Sequence, residues 1–191
     1  MSLDLEKGIL YAKKFFSENK TFTGGSSRVV FILDSKKVLK IAKNEAGIDQ
    51  NKEEIKNSRR YPLVVTRIFK VGTNNNYIIS ELVRPAQSGM ELVKFFGFDI
   101  INDISNLIDN FVSPIKKKQS YERVSKNEAS MQLLDMVRSG TDFNDISRID
   151  HWGKTNDGRY ILLDHGANET IIKKYYQKND FGNYNGSYEN F

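Results

Sequence analysis

The chain contains no cysteine. That absence excludes disulfides, thiolate metal sites and cysteine nucleophiles together, and it fits a reducing compartment. Long apolar runs are also missing: nothing approaches the roughly 20 consecutive residues of a membrane helix. The opening segment, Leu3 to Phe16, is charged and amphipathic, unlike a secretory leader. These absences lead to the expectation of a cytoplasmic protein with no membrane partner. Proline is scarce, with only Pro62, Pro85 and Pro114, and each one falls where a regular pattern breaks.

What is present suffices for a core. The 191 residues make one domain or two small lobes, and chains of about 150 residues bury about 70% of their unfolded surface. The net charge of +5 is spread along the chain, with one block at Lys116-Lys117-Lys118. Such an excess suits a phosphate-bearing ligand or a nucleic acid and identifies neither, and a solvated charge run is the reading preferred for the block.

Helical spacing of Leu5, Ile9, Leu10, Ala12, Phe15 and Phe16 predicts a leading amphipathic helix. Phe22 and Val29 to Leu33 read as short strands around Gly24-Gly25. Asp34-Ser35-Lys36 then turns into a third strand, Val38 to Ala42. A helix with Ala46, Ile48 and Ile55 among Glu45, Asp49, Glu53 and Glu54 follows and ends near Arg59-Arg60, before Pro62. Leu63 to Val71 and Tyr77 to Val83 are β-branched and apolar, and Gly72 to Asn76 between them has the chemistry of a hairpin turn.

Arg84 to Gly89, with its Pro and Gly, is the candidate hinge. Met90 to Phe98, Ile100 to Phe111 and Tyr121 to Val137 then read as helices. From Asp142 to Gly166 the elements are short: an Asp- and Asn-rich loop, Trp152-Gly153, an Asn156-Asp157-Gly158 turn and a strand from Tyr160 to Leu163. Trp152 reads as a core anchor. The expected class is therefore α+β. Residues 1–83 would be a first lobe with its leading helix, 84–89 a hinge, 90–178 a small and mostly helical second lobe, and 179–191 a loose tail.

Two features carry chemistry. Asp164 ends an apolar strand just before Gly166, where a carboxylate can be held rigidly. Lys40 stands on a buried strand that follows the small-residue stretch Thr23-Gly24-Gly25-Ser26-Ser27. Phosphates need closely approaching backbone N–H groups, which Gly permits, and a positioned cation.

Three segments resemble successive pieces of the N-terminal lobe of the protein-kinase-like superfamily. They are Gly25-Ser26-Ser27-Arg28-Val29-Val30-Phe31, Val38-Leu39-Lys40-Ile41-Ala42-Lys43-Asn44 and Ile79-Ser80-Glu81-Leu82-Val83. Leu163-Asp164-His165-Gly166 is similar to its metal-binding Asp-Phe-Gly element. The pattern Trp152-Gly153 followed by Asp157-Gly158-Arg159 resembles compact kinase-like proteins of bacteriophages and bacteria.

The resemblance implies a two-lobed fold, with a five-stranded antiparallel sheet and a helix in the first lobe, and ATP and Mg²⁺ as cofactors. It implies that Gly24, Gly25, Ser26, Ser27 and Lys40 hold the nucleotide's phosphates and that Glu81 and Val83 offer backbone groups to its base. Asp164 would hold the metal. The partner of Lys40 would come from the following helix: Glu54 by spacing, with Glu53 turned away by about 100°. The family's His-Arg-Asp is absent. Asp145 lies where the base is expected, and Asp150 or His151 stands where a second metal ligand would be, although imidazole suits Mg²⁺ poorly. His165 replaces the usual aromatic and adds a polar edge to a flat ring.

Two functions follow from the resemblance. One is a phosphotransferase in which Asp145 positions a hydroxyl of an unidentified protein or small-molecule acceptor; few residues follow Gly166 to build a platform for a protein substrate. The other is a non-catalytic, pseudokinase-type binding module acting through protein contacts. Nucleic-acid binding explains the charge but not the ordered motifs.

Overall fold

Strands β1 (Phe22–Gly24), β2 (Arg28–Asp34) and β3 (Lys37–Ala42) form a meander, β2 and β3 being rich in the β-branched and apolar residues that favour extended backbone. In the turn between β2 and β3, the Asp34 carboxylate accepts a hydrogen bond from the Lys36 amide at 2.7 Å, replacing a ladder bond with a local one. The computed structural model describes residues 22–24 and 26–176. The leading helix and the tail anticipated above lie outside the described residues.

The chain divides into two units. Of the described residues, the first holds those up to Ile55, then Arg67–Leu82, then those from Asn168 on. The second holds Lys56–Thr66 and Val83–Ala167.

In the first unit, β4 (Ile68–Val71) and β5 (Tyr77–Glu81) complete an antiparallel sheet in the order β1-β2-β3-β5-β4. Register places Val29 opposite Ile41 and Phe31 opposite Leu39, with Ile41 opposite Tyr77. One face is therefore an apolar cluster of these five side chains. Val38, Lys40, Ala42 and Ile78 belong to the other face, and all four are buried. Asn74 and Asn75 between β4 and β5 both have left-handed backbone, with φ of 54° and 59°, a conformation Asn tolerates better than most residues.

Helix α1 (Glu45–Arg60) starts at Asn44, whose side-chain oxygen accepts the Gly47 amide at 3.1 Å. It packs on the Lys40 face, and the stripe it buries is polar: Asn51, Glu54 and Asn57 are each at most 1% exposed.

Helix α7 (Glu169–Tyr175) also belongs to the first unit, although the sequence reading assigns it to the second lobe. Asp49 on α1 anchors it. Its carboxylate accepts from Lys174 at 3.0 Å, from Tyr175 at 2.7 Å and from Lys52 at 2.8 Å. Burial pushes the Asp49 carboxyl up, but these three bonds outweigh it and hold it down at about 2, against 3.8 ordinarily.

A carboxyl with a lowered folded-state pKa stabilises the fold above its unfolded value, and that contribution disappears as pH falls from about 4 to about 2. Asp49→Asn is thus expected to lower the urea midpoint at pH 5, with the gap from the native chain closing towards pH 2. A gap independent of pH would show that Asp49 acts by packing alone.

The second unit carries β6 (Arg84–Pro85), α2 (Gly89–Phe96), α3 (Ile100–Ile108), α4 (Pro114–Val124), α5 (Glu128–Arg138), α6 (Phe143–Ser147), β7 (Trp152–Lys154) and β8 (Tyr160–Leu162). Its three strands pair in the order β6-β7-β8, a small second sheet that the sequence reading did not anticipate. Leu92, Ile104, Leu133, Leu134, Ile146, Trp152 and Leu162 are fully buried and form its core. Trp152 is indeed a core side chain, its indole donating to the Ile146 carbonyl at 2.7 Å.

Two helix expectations change. The long helix expected over 121–137 is two helices, because Asn127 caps a new start by accepting the Ser130 amide. The lysine block, read as following a break, lies inside α4, which Ser113 caps and Pro114 begins.

The strand expected over 63–71 is also divided. Only 68–71 joins the first sheet. The Thr66 amide donates to the Leu162 carbonyl at 3.1 Å, and the Leu162 amide donates to the Val64 carbonyl at 2.8 Å. A run of β-branched residues specifies extended backbone but not the neighbour that satisfies it. Among the described residues no helix is long and apolar enough to cross a membrane.

Candidate functional site

Strand β3 places Lys40 opposite Val30 and Ile78 in the middle of the first unit's sheet, where its side chain is largely buried. A buried ammonium needs an opposite charge, and α1 supplies it. The Lys40 amine donates to Glu54 Oε1 at 2.9 Å and to Oε2 at 2.8 Å. Of the two candidate glutamates, Glu54 is the one that is fully buried, while Glu53 is half-buried. The second cation on Glu54 is Arg28, the first residue of β2, whose Nη1 donates to Oε1 at 2.5 Å.

Sequence reasoning passes over Arg28 because an Arg beside a Gly-rich turn reads as a surface charge. The signal was the helical spacing of Asn51, Glu54 and Asn57, three polar residues on one stripe. Asn51 accepts from Arg28 at 3.5 Å and donates to the Asn75 carbonyl at 2.8 Å.

The small-residue turn is only partly free for a ligand. Gly24 pairs with Val29 in the ladder, and Gly25 lies outside the described residues. Ser26 is exposed. Ser27 is buried, with its hydroxyl donating to Gln50 Oε1 at 2.6 Å and its carbonyl accepting from the Lys43 amide at 2.8 Å. Glu81 donates its amide to the Arg67 carbonyl. Val83 belongs to the second unit and packs so closely on Gly153 that a Cβ there would lie 2.6 Å from it.

The second unit gathers the acidic candidates. Asp142 caps α6, which carries Asp145. The amide of Leu163, just past β8, donates to the His151 carbonyl at 2.8 Å. That bond brings the segment bearing Asp164 beside the 149–151 turn. His151 Nδ1 lies 3.7 Å from Asp145 Oδ1. Burial pushes the Asp145 carboxyl above the usual carboxylate range, the negative charge of Asp164 pushes it the same way, and His151 opposes them.

Asp150 is placed differently. It is exposed and ion-paired to Arg148 at 2.6 Å, and that hydrogen bond holds its carboxyl below the usual range. His165 is buried, its Nε2 3.2 Å from the Thr66 hydroxyl and its carbonyl accepting from Asn57 at 2.9 Å. The residue that replaces the expected aromatic is thus tied down by polar contacts at both ring and backbone.

These groups fit the cofactors that the sequence resemblance implies. In the first unit, a lysine fixed by both oxygens of one carboxylate can present charge to phosphate; in the second, the Asp164 carboxylate is a hard oxygen donor of the kind Mg²⁺ prefers. Among the described residues no three His, Asp or Glu side chains form a ready metal cluster. Mg²⁺ commonly completes its shell with phosphate and water, so a single protein carboxylate can suffice.

No protein-family model and no curated protein matches the chain. Solved structures with a similar chain path include choline kinase LicA from Streptococcus pneumoniae, at 13% identity and a TM-score of 0.40, covering 91% of this chain and 81% of that one. Another is the GDP complex of wild-type aminoglycoside 2'-phosphotransferase-IIIa, at 13% identity and a TM-score of 0.36, covering 84% of this chain and 72% of that one.

Proposed function

We propose that the chain is an ATP- and Mg²⁺-dependent phosphotransferase of the protein-kinase-like type. The observation that carries this reading is the buried pairing of Lys40 with both oxygens of Glu54. A sheet interior does not otherwise favour a lysine, and burial of an ion pair is a weak source of stability. A lysine held in one orientation on a strand next to a Gly-rich turn suits phosphate binding.

In this reading Lys40 holds the nucleotide's phosphates and Glu54 keeps its amine in place. Asp164 supplies carboxylate oxygen to the metal. Asp145 takes the proton of the acceptor hydroxyl, and its raised carboxyl brings it nearer the range useful to a general base. Bound Mg²⁺ would supply neutralisation of the phosphate charge. The acceptor is a hydroxyl-bearing small molecule or a protein.

A second reading, a nucleotide-binding module without turnover, draws on one specific feature. The carboxylate of Asp150, one of the two residues proposed, with His151, for the second metal position, is already paired with Arg148.

Radiolabelled ATP separates the two readings. Turnover by the native chain that falls at least about a hundredfold in Asp145→Asn is the expected result, the usual scale for loss of a positioned base. Full activity in Asp145→Asn removes Asp145 from its role. Nucleotide binding with no turnover by the native chain selects the non-catalytic module.

A further inference from the structure

Arg28 is buried where the Gly-rich turn becomes strand β2, with 6% of its surface exposed. Its Nη1 lies 2.5 Å from Glu54 Oε1 and 3.5 Å from Asn51 Oδ1. Glu54 Oε1 also accepts from Lys40, so one carboxylate oxygen is shared by two cations from adjacent strands.

The same end of the turn is held to α1 and its approach at further points. Ser27 bonds Gln50 through its hydroxyl and Lys43 through its carbonyl. The Asn44 amide group donates to the Ser26 carbonyl at 3.5 Å. A Cβ on Gly47 would stand 2.2 Å from the Ser27 carbonyl oxygen, so only glycine lets the helix approach this closely.

These contacts do what a lone Lys-Glu pair cannot. Two flexible side chains bonded only to each other can swing together, whereas a planar guanidinium fixes a carboxylate from a second direction. We propose that Arg28 is a positioning residue of the phosphate site, a role that rests on the nucleotide reading above. It acts through Glu54 to fix the direction of the Lys40 amine, and it ties the end of the 24–27 turn to α1, so that turn and lysine keep a set relation.

The test is a double-mutant cycle for binding of Mg·ADP by titration calorimetry, with the melting temperature of each ligand-free variant measured alongside. Arg28→Gln is expected to raise Kd about tenfold, the scale of one charge-assisted hydrogen bond. That factor is expected to vanish in the Lys40→Met background, where there is no amine left to orient.

An unchanged Kd in Arg28→Gln, or its full factor added on top of Lys40→Met, overturns the role of Arg28 while the nucleotide reading stands. No effect of Lys40→Met alone removes both. Where Arg28→Gln does not fold, Arg28→Lys takes its place in the cycle. That variant keeps the charge but not the planar group, and is expected to show a smaller loss that is again absent with Lys40→Met. A native Kd for Arg28→Lys overturns the assignment.

Discussion

In millimolar Mg·ATP the native chain is expected to melt higher by about 3–6 °C when ligand stands tenfold above its Kd, while Lys40→Ala and Asp164→Asn are expected not to shift. A ligand that binds only the folded state stabilises it by mass action, about 1.4 kcal/mol at that ratio, and roughly 2–4 °C accompanies each kcal/mol in a chain of this size. Each variant is compared with its own ligand-free melting temperature, so any change in intrinsic stability drops out.

Under the proposed function the two substitutions remove different partners of Mg·ATP. Lys40→Ala deletes the cation offered to phosphate, and Asp164→Asn deletes the negative charge offered to the metal. Repeating the scan with ATP and chelator separates them further, since a response that needs Mg²⁺ points to Asp164. A flat response from the native chain at millimolar nucleotide would remove the enzyme and the nucleotide-bound module together.

Glu54→Gln is expected to destabilise the fold by about 3–5 kcal/mol, the loss typical when one partner of a buried ion pair is removed. Glu54 is fully buried, and its carboxylate is shared by Lys40 and Arg28. The amide keeps the volume but cannot neutralise either cation. Lys40→Met should cost less, because Glu54 keeps its bond to Arg28 and the methionine stem packs where the lysine stem did.

The order of these two variants in urea midpoint is the decisive measurement. Equal losses would mean that Arg28 does not support Glu54 in the absence of Lys40. A loss under about 1 kcal/mol for Glu54→Gln would place the pair in the range of a solvent-screened surface bridge and contradict its burial.

How far the sequence could be read differed from element to element. The apolar strands β2 and β3, the Asn-rich turn before β5 and the helix after β3 are local chemistry, and the structure places them where that chemistry points. The division of 63–71 between two sheets was not readable, because Val64, Val65 and Ile68 have the same propensity whichever neighbour accepts their hydrogen bonds. The helix break at Asn127 has a local signal, since an Asn three positions before Ser130 can cap a new helix within otherwise continuous apolar spacing.

The candidate site shows the same split. Lys40 and Asp164 stand out as polar residues on or ending apolar strands and could be nominated from their surroundings in the chain, whereas Glu54 and Asp145 are nominated through the resemblance. Arg28 could not be nominated, because nothing adjacent to it points to a buried partner, and the helical spacing of Asn51, Glu54 and Asn57 marks a polar stripe on α1 without showing that it is buried.

Residue order alone was enough to specify the apolar strands, the turn chemistry, and Lys40 and Asp164 as charged candidates, since these depend on groups a few positions apart. Which carboxylate takes Lys40, that Arg28 shares it, that Asp150 is occupied by Arg148 and that α7 returns to the first unit were settled only by folding. The Lys40–Glu54–Arg28 choice comes from desolvation, which forces each buried charge to find a partner that the completed packing brings within reach, while the exposed Asp150 and α7 contacts depend on which surface groups the fold leaves side by side.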